Sequence, residues 1–301
     1  MKKYTIVFLV LLISMAFTAC QHIDRLAQEA ARSELIDPGT ANWISFSAKA
    51  FSDAAAEITP DQEYYIGRAV AANILSTYKI YDRDPGLTAY LNLICAAIVL
   101  NSPQPSIFNG YYLAILDTNE INAFATSGGH IFVTRGLINV AKTEDALAGV
   151  IAHEVAHIQL RHGMKSITAN RVNQALMDTA TMGVGNAMGL DPEEMSNLLD
   201  ESVNEIMLTM VNRGYSPEQE YEADTAAMYF MVFAGYQPSG LIDMLKELDK
   251  VQTTARSKFN RTHPAPVQRI FFAERALKRF KIADTRIDRQ ERFNKALHIS
   301  E

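Results

Sequence analysis

The sequence predicts an α+β fold that is mainly helical and contains one small antiparallel β-sheet. Helix-start patterns recur along the chain, each with a capping residue placed just before a proline or an acidic turn. Only three short segments have the pattern of strands, at 111–116, 121–126 and 130–134, and a Ser-Gly-Gly turn joins the last two. The 301 residues, 48% hydrophobic and 21% charged, can build one large domain.

The net charge of the chain is −6, and no basic cluster stands out in the sequence. A protein that binds nucleic acid carries a positively charged surface, so this composition argues against such a partner.

The N-terminus is predicted to be a targeting segment. Lys2 and Lys3 precede an apolar run over 6–17, which ends at the small residues Thr18 and Ala19. This order is typical of a signal peptide. The apolar run is shorter than the about 20 residues that a transmembrane helix needs.

Residues 17–20, Phe-Thr-Ala-Cys, resemble a bacterial lipobox, although phenylalanine stands where an aliphatic residue is usual. The resemblance implies that residues 1–19 are removed, that Cys20 is lipidated and that 20–58 form a tether. Gln21 after the cysteine implies an outer-membrane location facing the periplasm. A plain signal peptide with an incidental cysteine and an uncleaved membrane anchor are the alternatives.

Two helices are predicted before the strands. Residues 59–62, Thr-Pro-Asp-Gln, form a helix-start pattern, and that helix extends to about Tyr78. The second helix covers about 87–100 and contains Cys95, which we expect to be a small buried hydrophobic residue. With Cys20 lipidated, no disulfide can form, because the chain has two cysteines.

The central predicted helix carries His153-Glu154-Val155-Ala156-His157. Histidines four residues apart lie on one helix face, which suits two imidazole ligands on a tetrahedral zinc ion. Glu154 lies about 100° further round the helix, so it is predicted to be the general base that deprotonates the attacking water. The flanks are apolar and Thr143 can cap the helix, which predicts burial. Two core histidines beside a buried acid are the alternative.

The stretch 164–211 is predicted to be helical and is rich in methionine. Seven of the twelve methionines lie between Met164 and Met210. Ordinary core packing explains such a stretch, and an adaptable flap over the site is the other interpretation.

A third metal ligand is expected on the helix that Ser216 starts. Glu218, Glu220 and Glu222 compete for this role, and Glu220 points away from the other two. Asp224 shares the face of Glu220, one turn further on. Glu220 can therefore complete the predicted site while Asp224 accepts the second ring N–H of a ligand histidine.

The pattern His153-Glu154-x-x-His157 with Glu220-x-x-Ala223-Asp224 resembles the gluzincin pattern of the HtpX-like and CAAX-prenyl-protease-like metallopeptidases. The resemblance covers about 59–277 and implies a zincin (gluzincin) fold. The metzincin pattern fails, because it requires glycine at 160 and histidine at 163. His162 is no substitute, since on a continuous helix it lies about 180° from His153. We expect His162 to be exposed at the helix end.

The resemblance extends to two further segments. Asn122, Ala123, Phe124 and Ala125 match the strand that forms the edge of the cleft in gluzincins, where an extended substrate adds as a further strand. A plain sheet edge is the alternative.

His263-Pro264 resembles the late His-Pro segment of the family, which implies that His263 lies near the metal. His263 would either stabilise the oxyanion or act as a fourth ligand that keeps the enzyme latent. A surface histidine at a helix start is the alternative. The charged tail after Lys278 is predicted to be a solvated helix.

Together these features predict a zinc metalloendopeptidase domain over 59–301, with one zinc ion held by His153, His157 and Glu220. The family resemblance implies that unfolded or damaged proteins of the bacterial envelope are the substrates. The competing hypothesis is a zinc-stabilised periplasmic chaperone or assembly factor with a latent protease site.

Overall fold

A computed structural model describes residues 58–168, 214–251, 262–263, 266–280 and 286–299, together with residues 29 and 32. Two compact units are present, one formed by 1–58 with 166–206 and the other by 59–165 with 207–301. The predictions for the signal peptide, Cys20, the tether and nearly all of the methionine-rich stretch lie outside the described residues. The second unit carries the predicted site.

Helices dominate the described part of the second unit. Its helices are α1 (Pro60–Thr77), α2 (Pro85–Leu100), α3 (Arg135–Ile138), α4 (Glu144–Gln159), α5 (Pro217–Phe233), α6 (Ser239–Val251), α7 (Pro266–Leu277) and α8 (Arg286–Ala296). Its strands are β1 (Tyr112–Leu116), β2 (Ala123–Ala125) and β3 (His130–Thr134). The α+β class is therefore confirmed. None of the helices in the described ranges is long and apolar enough to span a membrane.

The helices begin where the capping patterns predict. Thr59 and Ser216 each form a capping box, in which the cap and a glutamine three residues later hydrogen-bond to each other's backbone N–H. The hydroxyl of Thr143 accepts a hydrogen bond of 3.1 Å from the backbone N–H of Ala146. Local sequence thus fixes the starts of α1, α4 and α5.

The sheet is mixed, so the prediction of an antiparallel sheet is correct for one pair of strands and wrong for the other. The strand order is β1-β3-β2, with β2 antiparallel to β3 and β1 parallel to β3. The chain crosses from β1 over residues 117–122 to the far edge and returns through a hairpin. The chain thus reverses its direction twice, before β2 and after it, so β3 runs in the direction of β1 and lies beside it.

The sheet is covered on both faces. Helix α1 contributes Val70 and Ile74 to a small apolar cluster with Phe124 and Phe132. The main core contains residues of α2, α4, α5 and α6. Every residue of α4 is buried, as its apolar flanks predict. This burial holds the motif helix rigidly between the sheet and the other helices.

Cys95 is buried in the main core, as predicted. Burial raises the pKa of its thiol to about 12. Cys95 therefore behaves as a small apolar side chain, and its thiolate is strongly disfavoured.

The C-terminal tail is not the solvated helix that the sequence predicts. Phe293 of α8 is 1% exposed and belongs to the main core. Arg289 and Arg292 form ion pairs with Asp145 and Glu144, which are buried in the first turn of α4. The charges on α8 are thus partners for two buried carboxylates, and a purely local analysis of a charged segment cannot detect them.

Candidate active site

Four buried side chains from separate segments meet at one point. His153 and His157 come from α4, Glu220 comes from α5, and His263 precedes α7. One donor atom from each residue lies within 4.8 Å of the others. Three of the four are the predicted zinc ligands, so the structure brings together residues that are more than 60 positions apart in the sequence.

The separations fit a single zinc ion. Nε2 of His153 and Nε2 of His157 lie 2.9 Å apart. The Glu220 carboxylate lies 3.4 Å from the first of these nitrogens and 3.3 Å from the second. Ligand bonds of about 2.0–2.1 Å in a tetrahedron separate donor atoms by about 3.3 Å, so the nitrogens and the carboxylate match a zinc donor set.

Asp224 contacts the other side of the first ligand histidine. Its Oδ1 lies 2.9 Å from Nδ1 of His153, the geometry expected for an acceptor that fixes the tautomer of the ring. Arg269 donates two hydrogen bonds to this carboxylate, of 2.8 and 2.6 Å. A terminal nitrogen of Arg269 also lies 3.1 Å from Glu220. Arg269 therefore bridges the ligand Glu220 and its neighbour Asp224.

Sequence reasoning assigned no role to Arg269. The spacing of Arg269 nevertheless indicates burial, because Arg269 lies on the buried face of α7 with Pro266, Ala273 and Ala276. A charged residue on the buried face of an amphipathic helix requires a buried partner. Here the partners are two carboxylates of the site.

The carboxylate of Glu154 lies beside the four-residue donor set. Both carboxylate oxygens are buried, and neither has a hydrogen-bond partner among the described residues. Burial raises the pKa of Glu154, and neighbouring cationic groups oppose this rise. A buried carboxylate with no hydrogen-bond partner among the described residues is suited to accepting a proton from a water molecule in the site.

His263 lies beside both glutamates of the site. Its Nδ1 is 3.0 and 3.1 Å from the two carboxylate oxygens of Glu220. Its Nε2 is 3.8 Å from Oε1 of Glu154. With 2% of its surface exposed, His263 is not a surface histidine.

The electrostatics of the site favour the protonation state that a metal ligand needs at His157 and Glu220, whereas His153 must lose a proton to bind a metal. Burial and the adjacent His153 hold the pKa of His157 well below its usual range. Burial raises the pKa of Glu220, but His263 and Arg269 lower it well below the ordinary value. Burial and Arg269 lower the pKa of His153, but Asp224 and Glu220 raise it to about 9. Glu220 is thus ionised and His157 neutral, as metal binding requires.

The predicted substrate strand forms an edge of the sheet beside the site. A small pocket is lined by Ala123, Phe124 and Ala125 together with Glu154 and His263. The outer edge of β2 is therefore close to the predicted general base.

Asn122 does not line this pocket. It is buried, and its Oδ1 accepts hydrogen bonds of 3.0 Å from the hydroxyl of Thr262 and from the backbone N–H of Ala123. Asn122 thus connects β2 to the segment that carries His263.

The prediction that His162 is exposed is wrong. The side chain is fully buried, and its Nδ1 lies 2.9 Å from Nδ1 of His157. The extrapolation of a continuous helix fails because α4 ends at Gln159 and Arg161 adopts a φ of 55°. This left-handed residue turns the chain and brings His162 back beside α4.

Tyr215 is a second contact of His157 that sequence reasoning missed. The two rings stack with their centroids 3.9 Å apart and their planes inclined by 14°. Tyr215 also lines the small pocket with Glu154 and His263. It precedes the capping serine of α5, so its position is set by the start of the helix that carries Glu220.

Comparison with known proteins identifies a family match. Residues 92–277 match Peptidase family M48. The chain is 26% identical over 259 residues to metalloprotease LoiP of Escherichia coli K12, covering 85% of this chain and 90% of LoiP.

Two other relatives are much longer than the matched region. The chain is 26% identical to beta-barrel assembly-enhancing protease of Escherichia coli O157:H7 over 62% of its own length and 38% of the relative. It is 30% identical to mitochondrial metalloendopeptidase OMA1 of Schizosaccharomyces pombe over 61% of its own length and 51% of the relative. The chain therefore spans well under two thirds of the length of both proteins.

Proposed function

The chain belongs to Peptidase family M48, and from this premise we propose that it is a zinc-dependent metalloendopeptidase of the bacterial envelope. The observation that carries the proposal is the position of Glu154. Its buried carboxylate makes no hydrogen bond among the described residues and lies next to a His-His-Glu donor set. A purely structural zinc site would not need an additional unbonded acid at this position.

His153, His157 and Glu220 would hold the zinc ion. When bound, zinc would lower the pKa of a water molecule and would polarise the scissile carbonyl. Glu154 takes the proton from the attacking water and passes it to the leaving amine. The raised pKa of Glu154 that burial causes favours this uptake of a proton.

The other polar residues would orient these groups. Asp224 accepts the Nδ1–H of His153, and Arg269 keeps Asp224 in place. His263 lies within 3.8 Å of Glu154, a position from which its Nε2 could donate to the oxyanion of the transition state.

The substrate we propose is an extended polypeptide that adds to the edge of β2 opposite β3. The backbone of residues 123–125 would pair with the substrate, which would bring a peptide bond close to the small pocket beside Glu154. An extended chain is available in unfolded or damaged proteins but not in folded ones. The proposed role is therefore protein quality control.

We further propose that the protein is a lipoprotein held at the outer membrane through Cys20 and facing the periplasm. The lipobox-like sequence at 17–20 supports this proposal. LoiP and beta-barrel assembly-enhancing protease, both from Escherichia coli, are relatives whose names describe proteases.

A second function, a zinc-stabilised chaperone or assembly factor with a latent site, is favoured by one contact. Nδ1 of His263 lies 3.0 Å from Glu220, so this histidine is close enough to the ligand set to act as a latch. In that case the cleft would hold a client polypeptide without cutting it until the histidine moved away.

The test is cleavage of casein by the purified full-length protein, measured together with its zinc content. The zinc-loaded wild type should cut casein and stop when a chelator is added. His263→Ala is measured in parallel. Wild-type protein that is zinc-loaded and inactive, beside an active His263→Ala variant, would establish a latched enzyme. If both are zinc-loaded and inactive, the proposed activity is refuted.

A further inference from the structure

We infer that His162 is a positioning residue for the zinc ligand His157, and that Glu222 completes a hydrogen-bonded relay from His157 to the protein surface. The inference rests on the proposed zinc-dependent function. It concerns how the second histidine ligand is oriented, a role that nothing in the His-Glu-x-x-His pattern specifies.

The contact is made by the ring nitrogen of His157 that the metal would leave free. Nε2 of His157 lies 2.9 Å from Nε2 of His153 and 3.3 Å from Glu220, so it belongs to the donor cluster. Nδ1 of the same ring lies 2.9 Å from Nδ1 of His162. The stacked ring of Tyr215 covers one face of the imidazole. Both the plane and the free nitrogen of His157 therefore have defined partners.

The order of donors along the relay follows from the metal. A histidine that binds zinc through Nε2 is neutral and carries its proton on Nδ1, so Nδ1 of His157 must donate. Nδ1 of His162 is then the acceptor, and His162 carries its own proton on Nε2. That nitrogen lies 3.3 Å from Oε2 of Glu222, which accepts. Each ring is thereby fixed in one tautomer.

His162 is not a fifth candidate ligand. His162 contacts Nδ1 of His157, the ring nitrogen that lies outside the donor cluster. It does not belong to the group of four described residues whose donor atoms could share one ion. The carbonyl oxygen of His162 accepts a hydrogen bond of 3.3 Å from the side chain of Gln219, in the first turn of α5. The helix that supplies Glu220 therefore also helps to place His162.

The two ligand histidines are held in different ways. His153 contacts a buried carboxylate, Asp224, whose charge Arg269 balances. His157 contacts a neutral imidazole, and the carboxylate at the end of its relay has 59% of its side chain exposed. A second buried carboxylate at His157 would need a cation of its own, as Asp224 has Arg269, and would be costly to bury without one. A neutral acceptor fixes the ring without adding charge.

The experiment compares three full-length variants by their zinc affinity, measured in competition with a chromophoric chelator. His162→Leu removes the acceptor, and we expect zinc to bind about 10–100-fold more weakly. His162→Asn keeps an acceptor, because its amide oxygen occupies the position of Nδ1, and we expect an affinity within about threefold of wild type. His162→Gln places its amide at the position of Nε2 and should resemble His162→Leu.

The melting temperatures of the metal-free proteins show whether a variant has lost its structure in general. Recovery of zinc affinity in His162→Asn shows that the loss in His162→Leu is one of positioning. Wild-type affinity in His162→Leu would overturn the inference, as would an asparagine variant that binds zinc as weakly as the leucine variant. Failure of the proposed function would look different. The wild type would then bind zinc without cutting casein, while the affinity order of the three variants would still hold.

Discussion

Nδ1 of His153 and Oδ1 of Asp224 lie 2.9 Å apart, while Nε2 of the same ring lies 3.4 Å from Glu220. The imidazole of His153 therefore contacts two carboxylates, that of the predicted zinc ligand Glu220 through Nε2 and that of Asp224, which orients the ring, through Nδ1. Both carboxylates are on α5, one turn apart, so a single helix supplies the third ligand and the partner of the first. Arg269 contacts both and balances their charge.

Arg269→Met should strongly destabilise the fold. The substitution leaves Glu220 and Asp224 buried without their cation, and breaking a buried ion pair in this way costs about 3–5 kcal/mol. The free energy of unfolding, measured by chemical denaturation of the metal-free protein, reports the change. Arg275→Gln, at an exposed arginine of the same helix, is the matched control and should lie within about 0.5 kcal/mol of wild type. A loss below about 1 kcal/mol for Arg269→Met would contradict the bridging role.

Glu154→Gln should retain zinc and lose peptidase activity. The amide has the shape of the carboxylate but cannot take a proton, and loss of a general base lowers a rate by about 10²–10⁴-fold. Zinc content and casein cleavage are measured on the same preparation. Glu218→Gln, at an exposed glutamate of α5, should behave as wild type in both assays. Wild-type cleavage by Glu154→Gln would refute the assigned mechanism.

Glu220→Ala should purify without zinc. The substitution removes one of three ligands, and two imidazoles alone make a weak zinc site. Metal content by elemental analysis is the measurement, with Glu218→Ala as the control because Glu218 is an exposed glutamate of the same helix. Stoichiometric zinc in Glu220→Ala would mean that another residue supplies the third ligand.

Much of the site could be predicted because its signals are local. The two histidines and Glu154 share one helix, and the four-residue spacing of Glu220 and Asp224 places both on one face of α5. The predicted pairing of Asp224 with a ligand histidine required only the helical repeat. Residues one turn apart on a capped helix can be placed without knowledge of the rest of the fold.

The missed features depend on the path of the chain rather than on a repeat. His162 is buried because Arg161 adopts a left-handed conformation, which no helical extrapolation contains. The parallel pairing of β1 with β3 depends on a crossover and not on the pattern within either strand. The docking of α8 depends on acidic partners in α4, about 145 residues earlier in the sequence.

Cys95 should resist alkylation in the native protein. Its pKa is raised to about 12 from an ordinary value near 8.5, so at pH 8 only about one thiol in ten thousand is the reactive thiolate. Iodoacetamide labelling of the peptide that contains Cys95, followed by mass spectrometry, is the measurement. The same peptide should label fully in denaturant. Rapid labelling under native conditions would show that α2 does not bury this thiol.

Phe293→Ala should destabilise the second unit although residue 293 lies near the C-terminus. The phenyl ring is 1% exposed within the main core, and truncation of a buried phenylalanine to alanine costs about 3–5 kcal/mol. Lys295→Ala, two residues further along α8 and exposed, is the matched control and should be nearly neutral. Both are measured by chemical denaturation. Equal stabilities for the two variants would show that Phe293 contributes no packing energy to the main core and that α8 is the solvated helix that its composition suggests.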